Sequence, residues 1–357
     1  MRTADFDYEL PPELIAQAPA PRRDGSRLLV LERAGGGVEH RRFVELPSYL
    51  RSGDVLVLND SRVIPARLRG FKPDTGGEVE VLLLEQEQVN DWWVMVRPGR
   101  RVRVGSQLHF RTPEGKRYPL SATVCAANDA GHRRLRFEGV TDLLEELESV
   151  GEAPLPPYIQ RPAGVSKADR ERYQTVYARL AGSVAAPTAG LHFTGALLEH
   201  LRACGVRLAF VTLHVGLGTF APVKSATLEE HRLHEEAFTL GKETADTVAQ
   251  AKREGRRVIA VGTTTVRVLE SVAALHGGRV APAVGRTGIF VYPPFRFRVV
   301  DALLTNFHLP KSTLLMLVSA FAAPGELRGR EMVLAAYSQA VRERYRFFSL
   351  GDAMLIV

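Results

Sequence analysis

A block of short strand-like runs, between about residues 66 and 150, constrains the fold of this chain most. The runs are EVEVLLLE, WWVMVRPGRRVRVG, QLHFRT, ATVCAA and RRLRFEG, and glycine, proline and asparagine separate them. Alternating or apolar runs of this length with such breaks are typical of consecutive antiparallel strands. The block therefore predicts a small antiparallel β-barrel or sandwich.

A different pattern surrounds this block. VLVLND precedes it as a buried strand, and strand and helix signals alternate after it. The predicted strands are VRLAFVTLHV, RRVIAVG and RVVDALLTNF. Ser166 with Asp169 predicts a helix that runs to about Leu180, and Thr194 caps the next helix, which ends at Gly205. Further helices are predicted up to Gly255, from about Thr264 to His276, and from near Ser312.

Repeated strand and helix units predict a mostly parallel α/β sheet or a barrel-like wrap. The expected fold is therefore α/β, with a barrel-like large α/β domain that carries an inserted small antiparallel β-barrel domain. The large domain is expected over residues 1–65 and 153–357, and the inserted domain over residues 66–152. A chain of 357 residues is long enough for one large core and a smaller one.

The composition, with 45% hydrophobic and 24% charged residues, is that of an ordinary globular protein. The longest apolar run, around residues 314–323, is too short to span a bilayer. The opening MRTADFDYEL lacks the pattern of a signal peptide, and two cysteines are too few for a disulfide framework. We expect a cytoplasmic protein with no membrane contact, and a monomer by default.

The net charge of +7 is concentrated in one region. Residues 91–140 contain ten Lys or Arg and four Asp or Glu, a surplus of six. Such a region is the electrostatic footprint expected for contact with a polyanion such as nucleic acid. The alternative is that arginine is preferred to lysine throughout this chain, and that strands often carry outward arginines.

The segment AGSVAAPTAGLHFT, residues 181–194, is rich in small side chains. It predicts that a ligand lies against bare backbone there, with Gly190 in a conformation that a side chain would forbid and His192 at the rim of the gap. Tight helix packing is the alternative explanation of the same composition.

Three further segments follow predicted strands, where ligands bind in parallel α/β folds. TLHVGLGTF supplies His214, Gly216 and Gly218, and TNFHLPKST supplies Asn306 and His308. AVGTTTVR places Gly262 before a helix whose free N–H groups attract a carboxylate or phosphate. Ordinary helix caps, core histidines and turn glycines are the alternatives for each, but all three converge on one face.

HRLHEE places His231 and His234 three residues apart on a possible helix face. With His214 they would form a three-histidine metal site. The strict H-E-x-x-H order is absent, however, so proton transfer by a histidine and a carboxylate is the preferred interpretation.

Long strings of this sequence resemble the S-adenosylmethionine:tRNA ribosyltransferase-isomerase (QueA) family of queuosine biosynthesis. The strings are DFDYELPPELIAQAP, GDVLVLNDSRVIPARL, APLPPYI, RYQTVYA, GSVAAPTAGLHFT, VTLHVGLGTFAPV, HEE, VIAVGTTTVRVLES, VDALLTNFHLPKSTLLMLVSAF and YRFFSLGDAM. They cover most of the chain in constant order, and the antiparallel block is the least similar part.

The resemblance implies transfer of the ribosyl part of S-adenosylmethionine onto 7-aminomethyl-7-deazaguanine at the wobble position of a tRNA. The ribose is rearranged to an epoxycyclopentane, which gives epoxyqueuosine and releases adenine and methionine. It also implies no metal and no cofactor beyond S-adenosylmethionine, which is a substrate, and a barrel-like α/β domain with a small β-barrel insert.

The sulfonium of S-adenosylmethionine acidifies the adjacent C5′ hydrogens, so the first step requires a base. The candidates are His192, His214, His234 and Glu236. The methionyl carboxylate is expected on Thr263 to Thr265 with help from Arg267, and Phe193 and Phe220 are expected to face the sulfonium. The other substrate-binding residues expected are Asn59, Asp60, Arg62, Arg67, Tyr173, Gln174, Thr175, Ala186, Pro187, Thr188, Gly190, Thr212, Gly216, Gly218, Thr219, Gly262, Asn306 and His308.

Four arginines of the antiparallel block are expected to hold tRNA phosphates, which adds affinity without sequence readout. They are Arg97, Arg100, Arg101 and Arg103. The chain also departs from the family pattern, with Arg286 and Gly288 where Trp and Asp are common, Leu233 and Glu235 where Met and Ser are usual, and Leu350 in place of Tyr.

Two other classes of function remain open from the residues. A metal-dependent hydrolase would use His214, His231 and His234. A non-catalytic RNA-binding protein would need only the basic block, and would bind tRNA with a steep salt dependence but no turnover.

Overall fold

A computed structural model describes residues 1–161, 164–216, 223 and 225–357 of the chain. The strands are β1 (Arg27–Leu31), β2 (Val38–Arg42), β3 (Val55–Asn59), β4 (Ser61–Val63), β5 (Arg67–Phe71), β6 (Glu78–Gln88), β7 (Asp91–Arg97), β8 (Gln107–Arg111), β9 (Arg117–Ala127), β10 (Arg133–Glu138), β11 (Gly151–Glu152), β12 (Leu180–Ser183), β13 (Arg207–Leu213), β14 (Glu236–Leu240), β15 (Val258–Val261), β16 (Ala283–Thr287), β17 (Ala302–Asn306) and β18 (Ala353–Ile356).

The helices are α1 (Leu143–Val150), α2 (Lys167–Arg172), α3 (Gly195–Ala203), α4 (Lys242–Arg253), α5 (Thr263–Leu275), α6 (Thr313–Ala322) and α7 (Gly329–Arg342). Short 3-10 helices lie at Thr3–Phe6, Pro12–Leu14, Arg23–Gly25, Phe43–Tyr49, Gly99–Arg101 and Thr188–His192. Within the described ranges, none of the helices has the length and apolar character needed to cross a membrane.

A nine-stranded mixed sheet forms the larger part of the molecule, in the order β16-β14-β13-β3-β15-β17-β18-β1-β2. The four neighbours β13, β3, β15 and β17 are parallel, as the alternating strand and helix signals predict. β18 pairs antiparallel with β17 and parallel with β1, and so lies between them. β14, β16 and β2 add antiparallel pairings toward the edges.

Helices cover both faces of this sheet, because its strands alternate between two apolar cores. On β3, Val55 and Val57 belong to a core that includes α4, α5, α6 and α7. Leu56 and Leu58 belong to a second core, which includes α3 and the 3-10 helix Phe43–Tyr49. All five residues of β3 are buried, as expected for a central parallel strand.

A closed six-stranded antiparallel barrel forms the smaller part. Its order is β5-β6-β7-β10-β9-β8, closed by pairing of β8 with residues 69–71 of β5, and β11 pairs with residues 67–68 on the same edge of β5. It has its own core, to which α1 contributes Leu143, Leu147 and Val150. The predicted fold class, α/β with a small inserted antiparallel barrel, is confirmed.

A two-stranded parallel sheet of β4 and β12 lies where the chain passes from the large sheet to the barrel. β4 begins two residues after β3, and Ile64 N–H donates to the carbonyl of Ser183. Gln174 continues the pairing, because its side-chain amide bonds both the N–H and the carbonyl of Val63 at 3.1 and 3.2 Å. The segment before β12 is thereby fixed against the start of the barrel.

Two helical predictions are wrong in part. Ser166 caps α2 as predicted, but α2 ends at Arg172, and Leu180 lies in β12. The carbonyl of Asp60 accepts the N–H groups of Arg179 and Leu180, so this segment pairs as extended chain. HRLHEE is not helical: residues 231–235 are irregular, and Glu236 opens β14.

Candidate functional site

The carboxyl ends of β13, β3, β15 and β17 meet at one edge of the large sheet. Val211 pairs with Asn59, and Val261 pairs with Leu304, so the residues that follow these strands are neighbours. The edge brings together predicted site residues from four separate segments of the sequence. They are Asn59, Asp60, Thr212, His214, Gly262, Thr263, Thr264 and Asn306.

Asn59 connects three of these segments. Its side-chain nitrogen donates to the Leu213 carbonyl at 3.0 Å and to Thr264 Oγ1 at 3.2 Å. Its side-chain oxygen accepts the N–H groups of Leu213 and Ser61, both at 3.1 Å. Because this buried amide uses all of these contacts, it holds β3, β13 and the start of α5 in register.

Asp60 is a buried carboxylate at the same edge. Thr212 Oγ1 donates to its Oδ1 at 2.6 Å. Arg179 donates to its Oδ2 from Nε at 3.1 Å and from Nη2 at 2.9 Å. A buried carboxylate requires such partners, since its desolvation is costly. Arg179 has no sequence signal beyond being one arginine in a loop, and sequence reasoning missed it.

His214 lies beside Asp60 with its ring against the backbone of Gly182. A Cβ on Gly182 would come within 2.9 Å of both Nδ1 and Cε1 of His214, so this approach requires glycine. Nδ1 is buried and has no hydrogen-bond partner among the described residues. Burial lowers the pKa of His214, while the carboxylate of Asp60 acts in the opposite direction. The ring therefore offers an unused, neutral nitrogen at the strand ends.

The N-terminus of α5 faces the same edge. Gly262 precedes it with φ 88°, a conformation that favours glycine, and as the N-cap residue it supplies no side-chain cap. Thr263, Thr264 and Thr265 are buried, and Thr265 Oγ1 donates to the Val261 carbonyl at 2.8 Å. A buried helix N-terminus without a side-chain cap is suited to an anion.

The small-residue segment covers this edge, but Gly190 is needed for a different reason from the one expected. Its φ is not in the left-handed region. A Cβ at Gly190 would instead lie 2.0 Å from Tyr177 Oη and 2.9 Å from Thr175 Cγ2. This glycine therefore admits Tyr177 of the same chain. The hydroxyl oxygens of Thr175 and Tyr177 are buried without partners in the described part of the chain.

His192 lies inside a buried network and also lines a small cavity beside Leu191 and Leu350. Thr188 Oγ1 donates to Asn306 Oδ1 at 2.8 Å, and Asn306 Nδ2 donates to His192 Nε2 at 3.2 Å. The other ring nitrogen contacts Ser26 Oγ at 2.7 Å, and the ring stacks on Phe43. Burial lowers the pKa of His192 to about 4. Both nitrogens are engaged, which favours a positioning role.

His308 is engaged in a similar way. Its Nε2 contacts Thr305 Oγ1 at 2.9 Å, its N–H donates to Tyr337 Oη at 3.0 Å, and its carbonyl accepts from Tyr8 Oη at 2.5 Å. Burial lowers the pKa of His308 to about 3. The histidine holds the loop after β17, and its side chain is turned into the protein.

Glu236 and Arg267 form a buried ion pair next to the strand ends. Arg267 Nη1 contacts Glu236 Oε2, and Arg267 Nη2 donates to the Thr287 carbonyl at 3.1 Å. Gly216 N–H donates to Glu236 Oε1 at 2.9 Å. The pair joins β14, β16, α5 and the segment after β13, so the guanidinium expected to aid a ligand carboxylate already has a carboxylate partner.

Sequence reasoning did not single out an open groove beside this ion pair. The groove has a volume of about 450 Å³ and is lined by Leu228, Glu229, His231, Arg232, Leu233, Glu235, Gly288, Phe290 and Tyr292. The rings of Phe290 and Tyr292 lie 4.9 Å apart, and His231 meets Phe290 edge-on. Aromatic rings in a groove are suited to a planar ligand.

Four of the departures from the family pattern lie around this groove, whereas Leu350 packs in a separate cluster with Leu191. Arg286 on β16 donates to the Glu235 carbonyl at 3.0 Å and pairs with Glu85 on β6 of the barrel. A Cβ on Gly288 would lie 3.2 Å from the Leu233 carbonyl and 3.3 Å from Glu235 Cγ. Arg286 therefore links the large sheet to the barrel at this groove, and Gly288 leaves room for the Leu233 carbonyl.

The remaining predicted residues fall into four groups. Phe193 is fully buried and packs edge-on against Phe43, so its ring belongs to the core and does not face a ligand. Arg62 and Arg67 lie within 4.0 Å of Glu148 and within 3.8 Å of Glu80 respectively. Tyr173, Ala186 and Pro187 are buried beside the strand ends. Gly218, Thr219 and Phe220 lie outside the described residues.

The histidines of the metal alternative are not brought together. His234 is exposed, and His231 lines the groove. Across residues 1–161, 164–216, 223 and 225–357, no group of three or more His, Cys, Asp or Glu side chains is placed to hold a metal ion.

The four arginines expected to hold phosphates lie together on the barrel. Arg97 ends β7, Arg100 and Arg101 belong to the 3-10 helix Gly99–Arg101, and Arg103 follows it. All four are exposed. By contrast, Arg134 and Arg136 of the same basic block pair with Asp91. The surplus positive charge is therefore presented at one end of the barrel.

Comparisons with known proteins give two findings. Residues 3–356 match the family model described as queuosine biosynthesis protein. The fold also matches a crystal structure of S-adenosylmethionine tRNA ribosyltransferase from Thermotoga maritima, with 42% sequence identity and a TM-score of 0.56. That match covers 99% of this chain and 100% of the other.

Proposed function

The chain belongs to the queuosine biosynthesis protein family, and from this we propose that it is an S-adenosylmethionine:tRNA ribosyltransferase-isomerase. It transfers the ribosyl part of S-adenosylmethionine onto 7-aminomethyl-7-deazaguanine at the wobble position of tRNA. The product is epoxyqueuosine in the tRNA, and adenine and methionine are released. The Thermotoga maritima structure of the same fold carries a name that agrees with this activity.

The observation that carries this proposal is the arrangement at the four strand ends. Among the described residues, Nδ1 of His214 is buried without a hydrogen-bond partner, and α5 begins at the same edge after a glycine, which supplies no side-chain cap. In the proposed reaction His214 removes a C5′ proton that the neighbouring sulfonium acidifies. The helix N-terminus binds the methionyl carboxylate.

The other candidate bases are either engaged in hydrogen bonds within the protein or exposed away from the buried site. His192 uses both ring nitrogens within the protein, and both oxygens of Glu236 accept hydrogen bonds. His234 is exposed. We therefore assign the base to His214, and assign His192 and the pair of Glu236 with Arg267 to positioning the loops around it.

We also propose which molecules this protein binds and where in the cell it acts. The tRNA carrying 7-aminomethyl-7-deazaguanine contacts the barrel through Arg97, Arg100, Arg101 and Arg103, which lower its dissociation constant without reading sequence. S-adenosylmethionine is consumed as a substrate, with no further cofactor. The protein works as a cytoplasmic monomer.

Adenine release from S-adenosylmethionine, followed by chromatography, tests the proposal. One reaction contains tRNA with 7-aminomethyl-7-deazaguanine at the wobble position, and the control contains the same tRNA with guanine there. We expect stoichiometric adenine and methionine only with the modified tRNA. A folded, tRNA-binding protein that releases adenine with neither substrate would contradict the proposal and leave RNA binding alone as its function.

A further inference from the structure

Arg179 and Asp60 form an ion pair that is buried at one end and open at the other. The Asp60 side chain is 2% exposed, whereas the Arg179 side chain is 71% exposed. Nε and Nη2 of Arg179 both bond the same oxygen, Oδ2 of Asp60. Among the described residues, no hydrogen bond reaches Nη1. Asp60 therefore fixes the guanidinium through Nε and Nη2, while its remaining N–H donors face solvent.

The surface around this guanidinium is suited to a nucleic-acid strand. Val176 and Leu180, on either side of Arg179 in sequence, are 47% and 44% exposed. Arg62 lies on β4, whose partner strand β12 begins at Leu180, and its side chain is 54% exposed. We call Arg62, Val176, Arg179 and Leu180 the rim surface. It combines two cations with exposed aliphatic groups beside the strand-end site.

Neutralising Asp60 does not by itself require an exposed arginine. Asp54, directly before β3, is a buried carboxylate like Asp60, directly after it, and it pairs with Arg257. The Arg257 side chain is only 26% exposed, and its Nη2 also donates to the Tyr49 carbonyl at 2.9 Å. The pair at the amino end of β3 is thus turned inward, while the pair at the carboxyl end presents its cation to solvent.

We propose that Arg179, held in place by Asp60, binds a backbone phosphate of the tRNA beside the modified nucleotide. A guanidinium binds phosphate through paired N–H donors, and a fixed one loses less entropy on binding than a free side chain. The exposed side chains of Val176 and Leu180 contact the adjoining sugars. Since Asp60 also accepts from Thr212 beside His214, this contact places the anticodon loop directly over the proposed base.

The inference rests on the proposed function for the identity of the RNA. It adds a phosphate site at the mouth of the large sheet, separate from the arginines at the end of the barrel. With both sites occupied, the RNA is held on two sides of the strand-end site.

Binding of a synthetic anticodon stem-loop RNA tests the proposal, measured as the dissociation constant at several salt concentrations. Each phosphate contact in single-stranded RNA contributes about 0.7 to the slope of log affinity against log salt. We expect Arg179→Gln to lower that slope by about this amount and to weaken binding roughly tenfold at low salt. Arg179→Lys keeps the charge and should retain the slope, with intermediate affinity.

Arg257→Gln is the matched control, because it removes the cation from the other buried carboxylate of β3. We expect both glutamine variants to lower the thermal unfolding midpoint, but only Arg179→Gln to change RNA binding. Equal weakening by both, or an unchanged slope in Arg179→Gln, would overturn the proposal. If Arg179→Gln does not fold, Arg179→Lys replaces it in the methylphosphonate test described next, and it should lose less affinity than the wild type at the sensitive linkage because its contact with the phosphate is weaker.

A neutral methylphosphonate linkage locates the phosphate. Placed in turn on either side of the wobble nucleotide, it should weaken wild-type binding at one linkage and have little further effect on Arg179→Gln. Equal losses in both proteins at every linkage would contradict the contact. The methylphosphonate should have the same effect on binding of the RNA with guanine at the wobble position. The binding test therefore does not depend on whether the protein releases adenine.

Discussion

The histidines at the strand ends differ in what their ring nitrogens contact. His192 has partners on both nitrogens and His308 has one on Nε2, and burial lowers the pKa of each far below the ordinary value of 6.5. His214 is only half-buried, and its Nδ1 has no partner among the described residues. Position relative to the strand ends did not separate these three side chains, but their hydrogen bonds do.

His214→Gln should therefore abolish adenine release while leaving tRNA affinity and the unfolding midpoint close to those of the wild type. Burial lowers the pKa of His214, so the neutral, proton-accepting form persists below pH 6.5. The acidic limb of kcat against pH should consequently lie below that value in the wild-type protein.

The control for this change is His276→Gln, at an exposed position at the end of α5. It should retain full kcat and the same pH profile. Near-wild-type turnover in His214→Gln would remove this histidine from the proposed chemistry.

At this scale, the sequence does not predict which side chains of distant segments contact one another. His214, Gly262 and Asn306 were assigned to one site because each follows a strand signal, Asn59, Asp60 and Thr212 were expected there from the resemblance, and the parallel register places them together. The roles of Arg179, Phe290 and Tyr292 depend on contacts between distant segments. No local pattern marks an arginine whose partner carboxylate lies in a distant segment of the sequence.

At the scale of elements, the strands and long helices follow from pattern, and the short connections do not. β3, β13, β15 and β17 and helices α3, α5 and α6 lie where runs of apolar residues and caps predict them. α2 is shorter than predicted. The carbonyl of Asp60 accepts the N–H groups of residues 179 and 180, so these residues are extended and not helical. Residues 231–235 lack a helix although their spacing permits one.

Gly190→Ala should destabilise the connection between α2 and α3. The new methyl group would lie 2.0 Å from Tyr177 Oη and 2.9 Å from Thr175 Cγ2. Overpacking of this kind costs about 1–3 kcal/mol of unfolding free energy. Thermal unfolding measures the loss, and Tyr177→Phe combined with Gly190→Ala should recover part of it because the hydroxyl is removed.

Gly195→Ala serves as its control, since nothing lies within 4 Å of a Cβ at the first residue of α3. It should leave the unfolding midpoint unchanged or slightly raised, because alanine favours helix. If Gly190→Ala were equally harmless, Tyr177 would have room to move and the close approach would not constrain this segment.

For the whole molecule, the barrel and the large sheet have separate apolar cores. The barrel carries the exposed arginines, and the sheet carries the strand-end site. Arg286 and Glu85 join the two parts at the groove. RNA affinity and chemistry should therefore respond to different substitutions.

Arg100→Glu combined with Arg101→Glu should raise KM for tRNA more than KM for S-adenosylmethionine, with a shallower dependence of tRNA affinity on salt. The expected increase is about tenfold or more at low salt, because two phosphate contacts are lost and two charges repel. Steady-state kinetics with each substrate varied in turn measures the difference.

The matching control is Arg253→Glu with Arg256→Glu, two exposed positions at the end of α4 and beyond it. It changes net charge by the same amount on another part of the surface. Equal effects on both substrates, or equal effects of the two double variants, would count against the barrel as the tRNA face.

The position of β18 sets an order for assembly on the ribosome. Residues 353–356 fill the space between β17 and β1, so the nine-stranded sheet stays divided until they have been synthesised. The barrel, in contrast, draws all of its strands from Arg67 to Glu152 and needs only neighbouring sequence. Contacts between near residues form faster than contacts between distant ones. During translation the barrel can therefore fold before β18 has been synthesised, while β17 and β1 still lack the strand that joins them.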